Sequence, residues 1–500
     1  MSVDTDVASL INRPDRLFIG GEWVASTGSG TIDVVEAATE RIAFSVAEAT
    51  ADDMARAVAA ARHAFDRGPW PTMTHAERAV YLRALAAGID ARLGDFAQMW
   101  PRETGVLHQI AQYAMTDVPR TFRYYADLAT EYPFEERVQP SPGVIPGGNF
   151  GLLVREPVGV VGAIIPWNAP LLLIAYKLAP ALLAGCTVVL KAAPEAPGEA
   201  YLFAEVAESA GLPPGVVNVV TADREVSELL VRDPRVDKIT FTGSTEAGKR
   251  IGSLCADRVA RCTLELGGKS AAVILDDADI ATAAAHLAAM ETFATGQVCS
   301  SITRIIVPRS RHDEMVDALA AVFAAVKVGD PFDPGSQMGP LAMRRQRDRV
   351  EDFIAQGISE GARLAVGGHR PAHLDRGWFI EPTVFASVDN SSTIAQQEIF
   401  GPVLSVIPAA DEDHAVEIAN DTVYGLNASV FTNDVDKARA VAGKLRSGTV
   451  GHNAMRTDFG ISFGGFKQSG IGREGGKEGL LPFLEVKTVI LDGPPTAYRE

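Results

Sequence analysis

Cysteine is scarce in this chain of 500 residues: there are four, Cys186, Cys255, Cys262 and Cys299. No two of them form a CxxC pair, which excludes a disulfide framework and a cysteine-rich zinc site and fits a reducing compartment. Positive charge is also short, with 46 Lys and Arg against 63 Asp and Glu and a net charge of −17. So acidic a surface argues against nucleic acid and anionic membrane as partners. Long apolar runs are nearly absent. The one charge-free stretch of bilayer length, 157–176, is broken by Pro166, Asn168 and Pro170 and closed by Lys177. A strand, a turn and a helix account for it better than a membrane span. The opening residues carry Asp4, Asp6 and Asp15 without an apolar core, so no secretory signal is expected there and the cytoplasm is the expected location. Neither an internal repeat nor a low-complexity segment is present.

The remaining composition, 47% hydrophobic and 22% charged, is that of a globular protein long enough for two or three domains. Residues 18–24 read as a hairpin around Gly20-Gly21. A capped helix is expected over 50–68, begun by Asp52 and Asp53, and helical pattern continues to about residue 128. Residues 133–150, rich in Pro, Gly and charge, read as an excursion. From 151 the rhythm is strand, turn, helix: strands over 158–165, 186–191, 216–220 and 238–241, and helices over 171–183, 197–209 and 225–232. Apolar strands alternating with helices imply an open parallel sheet covered on both faces, which binds nucleotides at the carboxyl ends of its strands. A second alternation begins near Cys262, with strands over 271–275, 302–307, 403–407 and 429–431 and helices over 281–293, 312–325, 343–360 and 414–420. The fold class is α/β, with two doubly wound Rossmann-like domains. A late strand, 485–491, is expected to pair with the 133–150 excursion or with another chain.

Three stretches carry chemistry. Phe241-Thr242-Gly243-Ser244 ends a strand and opens a helix, a turn whose free N–H groups suit an anion. The following window resembles a P-loop but places Arg250 where a Ser or Thr must hold magnesium, which leaves a pyrophosphate turn. Glu265-Leu266-Gly267-Gly268-Lys269-Ser270 sets a carboxylate beside glycines that let a ligand approach the backbone. Gly296-Gln297-Val298-Cys299-Ser300-Ser301 puts a thiol at a helix-to-strand junction; read alone, it fits either a nucleophile or a small buried hydrophobe.

Together with Glu398-Ile399-Phe400-Gly401-Pro402-Val403 and the run from Phe463 to Gly470, these motifs resemble, in order and in register, the aldehyde dehydrogenase superfamily of NAD(P)-dependent, hydrolytic type. The resemblance extends from the hairpin to about Thr488. It implies a Cys299 nucleophile that adds to an aldehyde, with Asn168 and the cysteine N–H as oxyanion donors. It implies Glu265 as the base for the water that releases the acid, and Lys177 and Glu474 as a proton path. For the cofactor it implies Ile165, Pro166, Trp167, Lys191, Glu195, Gly243, Ser244, Leu266, Glu398 and Phe400; no metal is required. The domains it implies are a cofactor-binding domain, 1–132 and 151–262, a catalytic domain, 263–475, and an oligomerisation flap and tail, 133–150 and 476–500, giving a homodimer or homotetramer.

Two departures bear on the cofactor. Pro194 stands where many NAD-specific relatives place a glutamate on the adenosine ribose, with Glu195 one place late. Arg224 lies in a loop without the usual glycine. NAD is the expected cofactor, with NADP open. The resemblance implies an aldehyde tunnel lined by Ala169, Leu173, Phe293, Val298, Ser300 and Phe459, a largely apolar set that favours aliphatic or aromatic aldehydes. A coenzyme A-acylating enzyme and a non-catalytic family member stand as alternatives. Glu265 argues against the first, since acyl transfer to coenzyme A needs no base for water. The joint presence of Cys299, Glu265 and Asn168 argues against the second.

Overall fold

Strands that are apolar along their whole length belong where both faces are covered, and that condition organises this molecule. The computed structural model describes residues 7–141, 148–458 and 460–499. It places Arg261–Glu265, Lys238–Thr242, Val160–Ile164, Thr187–Ala192 and Val217–Thr221 side by side, in that spatial order and all parallel. Among these five parallel strands the chain lays down the middle one first, moves to one side, then returns to build the other. Strand order therefore reverses between Val160–Ile164 and Lys238–Thr242, which opens a crevice at the carboxyl ends of the strands. The hairpin Arg16–Ile19 and Glu22–Ala25 extends one edge, antiparallel to Val217–Thr221. Gly470–Ile471 caps the opposite edge, antiparallel to Arg261–Glu265.

The helix Pro170–Ala184 leaves that crevice for the core. Pro170 lies in its first turn, where a missing N–H has no helical partner to lose, and Gly185 ends it at φ 102. Every residue of 174–184 is buried, so the helix has no solvent face and carries an apolar surface all round. Its single charge, Lys177, must consequently find a partner inside the protein.

The second sheet has the order Arg363–Val366, Thr383–Ala386, Val403–Ala409, Ile302–Pro308, Ser270–Ile274, Asn427–Phe431, Thr449–His452. All of these neighbours are parallel except the antiparallel edge Arg363–Val366. The strands at 363, 383 and 449 were not expected from sequence. Each has four residues, too few to display a period.

A three-stranded antiparallel sheet joins Leu484–Leu491 to Phe150–Pro157 and that strand to Glu135–Val138. The tail strand was expected to pair with the 133–150 excursion; its partner is instead the strand Phe150–Pro157, which shares only Phe150 with that segment, and the excursion's own strand, Glu135–Val138, lies on the far side of it. Residues 142–147 of the excursion lie outside the described residues. The sheets also depart from the boundaries expected at 151, 262 and 475. Residues 151–157 join the small sheet. Arg261–Glu265 crosses 262 as one strand of the first sheet, and Gly470–Ile471 returns to that sheet from within 263–475. Strand–helix rhythm marks where a strand ends but not which sheet edge it joins. Among the described residues no helix is long and apolar enough to cross a membrane.

Candidate active site

The carboxyl ends of the first sheet assemble one side of the site. Thr242 and Glu265 are in register on adjacent strands, and Gly243 N donates to Glu265 O at 3.0 Å. Ser244 caps the helix Thr245–Asp257, its Oγ accepting from Ala247 N at 3.3 Å. That helix can approach the strand because position 248 is glycine: a Cβ there would lie 2.3 Å from Leu266 Cδ2. Ile165, Pro166 and Trp167 follow Val160–Ile164, and Lys191 lies near the end of Thr187–Ala192. Burial brings the Lys191 ammonium down to about 8, against the opposing pull of the Glu195 and Asp223 carboxylates. Glu195 forms an ion pair with Arg345. Arg224 is exposed.

The second sheet supplies the thiol. The run into it is strained, with Ala294 and Thr295 at φ 47 and 58 and Gly296 at φ 70, the kind of backbone that collects at functional sites. Gly296 is required for a further reason, since a Cβ would come within 2.5 Å of the Gly401 carbonyl carbon. The buried Gln297 side chain pins the turn: Nε2 donates to Ala294 O at 3.0 Å and to Thr104 O at 3.4 Å, while Oε1 accepts from Ala342 N at 2.9 Å. Cys299 is half-buried. Burial, reinforced by the Glu398 and Glu265 charges, pushes its thiol up to about 12, whereas the N–H groups of Ser300 and of Cys299 itself pull it down.

Asn168 faces this loop from the first domain, its Nδ2 donating to Gln297 O at 2.9 Å. A primary amide carries two N–H donors, so one remains for a ligand. Glu265 is 3% exposed, and neither carboxylate oxygen has a hydrogen-bond partner. Its pKa is raised well above the usual range by burial and then by Glu474, and is lowered by Lys177 and Arg473. Lys177 and Glu474 meet at 2.5 Å, both buried, with Thr240 Oγ1 at 3.4 Å from each. A buried ammonium so paired satisfies the requirement set by the apolar helix.

Glu398 lies on the glycine turn. Gly268 N donates to its Oε1 at 3.1 Å, and a Cβ on Gly267 would come within 2.3 Å of its Oε2. Burial pushes this carboxyl up to about 7, opposed by the Gly268 N–H, Arg349 and Lys269. Phe400, at φ 62, sets its ring edge-on to Trp167 with centroids 5.4 Å apart. The Lys191 ammonium, the N–H groups at the helix start after Ser244, the Glu398 carboxylate and the Phe400 ring are the kinds of group that can hold a dinucleotide: donors for phosphate and ribose oxygens, an acceptor for ribose hydroxyls and an aromatic face for a ring.

Ala169, Leu173, Phe293 and Val298 are part-buried and pack against one common apolar core. Ser300 is buried at 3% exposure, and Phe459 lies outside the described residues. Sequence reasoning missed Gln297, although it lies inside the cysteine motif. It also missed Trp100, whose Nε1 donates to Asn168 O at 2.8 Å, and Arg473, which no local pattern marks. Among the described residues no cluster of His, Cys, Asp and Glu has metal-holding geometry.

The sequence pattern of the aldehyde dehydrogenase family matches residues 23–489. Geranial dehydrogenase of Castellaniella defragrans is 45% identical over 479 residues, 96% of this chain and 99% of that one. The chloroplastic betaine aldehyde dehydrogenase of Amaranthus hypochondriacus is 40% identical over 489 residues, 96% and 97% of the two chains. Among solved structures, an aldehyde dehydrogenase of Mycobacterium tuberculosis complexed with NAD+ superposes at a TM-score of 0.93 with 46% identity, over 98% of this chain and 100% of that one. Betaine aldehyde dehydrogenase of Staphylococcus aureus in complex with NAD+ superposes at 0.94 with 36% identity, over 99% of each.

Proposed function

The chain belongs to the aldehyde dehydrogenase family, and from that premise we propose that it oxidises an apolar aldehyde to the free acid by covalent catalysis at Cys299. The observation that carries the reading is the meeting of Asn168 with the cysteine turn, through the 2.9 Å bond to Gln297 O, beside an unpaired, buried Glu265. The Cys299 thiol gives its proton to solvent water, and the thiolate Sγ bonds to the carbonyl carbon. The alkoxide that forms accepts from the free Asn168 N–H and the Cys299 backbone N–H, donors whose direction the fold has already fixed. NAD, when bound, supplies the hydride acceptor, held by Lys191, Gly243, Ser244, Glu398 and Phe400. Loss of hydride leaves a thioester on Cys299. Glu265, its proton affinity raised by burial, takes a proton from water; the hydroxide adds to the thioester, and the Cys299 thiolate leaves with the acid released.

Support for an apolar aldehyde comes from Ala169, Leu173, Phe293 and Val298, and from the 45% identity to a geranial dehydrogenase. Several relatives are named for betaine aldehyde or aminoaldehydes, so a test panel must hold terpenoid, aromatic and cationic aldehydes. Cofactor reduction is to be followed once with NAD and once with NADP. Terpenoid or aromatic aldehydes with NAD are expected to give the highest kcat/KM; a preference for the cationic members overturns the substrate assignment. Glu265→Gln is expected to keep a first burst of cofactor reduction near one equivalent and to slow the steady state at least about a hundredfold. An equal loss of both phases places Glu265 outside deacylation, and steady-state turnover restored by coenzyme A favours the acylating reaction.

A further inference from the structure

We infer that Trp100 is a positioning residue for the oxyanion donor Asn168, acting through a closed ring of hydrogen bonds that ties Asn168 and the cysteine turn to one buried helix end. The inference rests on the reading of Asn168 given above. The helix is Leu93–Thr104, ended by Gly105 at φ 82. The Trp100 side chain is 1% exposed, and its Nε1 donates to Asn168 O at 2.8 Å. Asn168 Nδ2 donates to Gln297 O at 2.9 Å. Gln297 Nε2 reaches Thr104 O at 3.4 Å, and Thr104 Oγ1 donates to Trp100 O at 2.9 Å. The ring thus returns to the residue where it began. The Gln297–Thr104 contact is its longest link, and the same amide is held more closely by Ala294 O at 3.0 Å.

Two features make this a device for aiming a donor. Asn168 is held at both ends: Trp100 fixes its backbone carbonyl, and Gln297 O takes one amide hydrogen. Because the amide is planar, the direction of the second hydrogen is then set, and that hydrogen is the one left for an alkoxide. The helix end is itself anchored, since the buried Glu103 Oε1 accepts from Gly198 N at 2.7 Å. Trp100 and Cys299 come from distant parts of the chain and share no motif. The indole N–H is the only group of Trp100 that the ring uses as a side-chain donor, so Trp100→Phe removes the link while keeping most of the bulk.

The test is a double-mutant cycle of Trp100→Phe with Asn168→Ala, read as kcat and KM on the best aldehyde of the panel, with thermal midpoint and NAD binding measured on every variant. Trp100→Phe is expected to lower kcat about tenfold, the scale of one buried hydrogen bond, with KM and NAD affinity within about twofold of wild type. The double variant is expected to be no slower than Asn168→Ala alone, because a residue acting through Asn168 has nothing to act on once that amide is gone. A wild-type kcat in Trp100→Phe, or penalties that multiply in the double variant, overturns the inference while leaving Asn168 in place. A wild-type kcat in Asn168→Ala overturns the oxyanion reading and the inference with it. If Trp100→Phe fails to bind NAD, Gln297→Met opens the ring at another link and faces the same two criteria.

Discussion

Cys299 and Glu398 show how one residue's proton affinity depends on another's charge. Both are desolvated, and the Glu398 carboxylate raises the thiol in addition to burial. An anion beside a thiol disfavours thiolate, so removing the anion must favour it. Because the Glu398 carboxyl is itself pushed up to about 7, its effect is small at pH 6 and complete by about pH 8.5. Glu398→Gln is therefore expected to speed alkylation of Cys299 by iodoacetamide, in cofactor-free protein, by about three- to tenfold at pH 8.5 and hardly at all at pH 6, a pKa change of up to one unit being tenfold in thiolate. Equal rates in the two proteins at pH 8.5 show that Glu398 does not act on the thiol. In wild type the rate is expected to climb across the alkaline range without levelling below pH 9, as a thiol pushed up to about 12 requires.

At the scale of elements, residues 294–296 are held in left-handed backbone, with Gly296 against the Gly401–Pro402 peptide. Gly296→Ala adds a methyl in a space already filled and is expected to lower stability by about 1–3 kcal/mol, with activity falling further than the loss of folded protein explains. A thermal midpoint and specific activity equal to wild type show that the turn tolerates the side chain. Elements of this kind divide what the sequence discloses from what it hides. The apolar strand at 160 and the all-apolar helix after Pro170 are legible because burial on every face leaves a continuous pattern. The strands at 363, 383 and 449 are not, because four residues carry no period. At the site, Cys299, Glu265 and Asn168 lie in motifs that single them out as candidates. Trp100 and Arg473 do not, because their partners lie far along the chain and only folding brings them together.

The whole molecule is closed by its C-terminal region. The strand Leu484–Leu491 makes the edge of the small sheet, and its outer side pairs with no strand among the described residues. Val486 and Ile490 are 61% and 55% exposed on one face of it. An unpaired edge of this length that exposes two large apolar side chains invites a second chain. The protein is expected to sediment as a dimer or tetramer, and Val486→Asp with Ile490→Asp to shift it toward monomer with the thermal midpoint of the isolated subunit preserved; an unchanged sedimentation coefficient places the contact elsewhere. The return of Gly470–Ile471 to Arg261–Glu265 has a consequence for the order of events during synthesis. The edge that ends in Glu265 stays open on the ribosome for about two hundred residues after it emerges, a wait of roughly 10–40 s at about 5–20 residues per second. Its last neighbour in the sheet is Gly470–Ile471. Glu265, the in-register partner of Gly470, is thus covered on that side only after those residues have emerged.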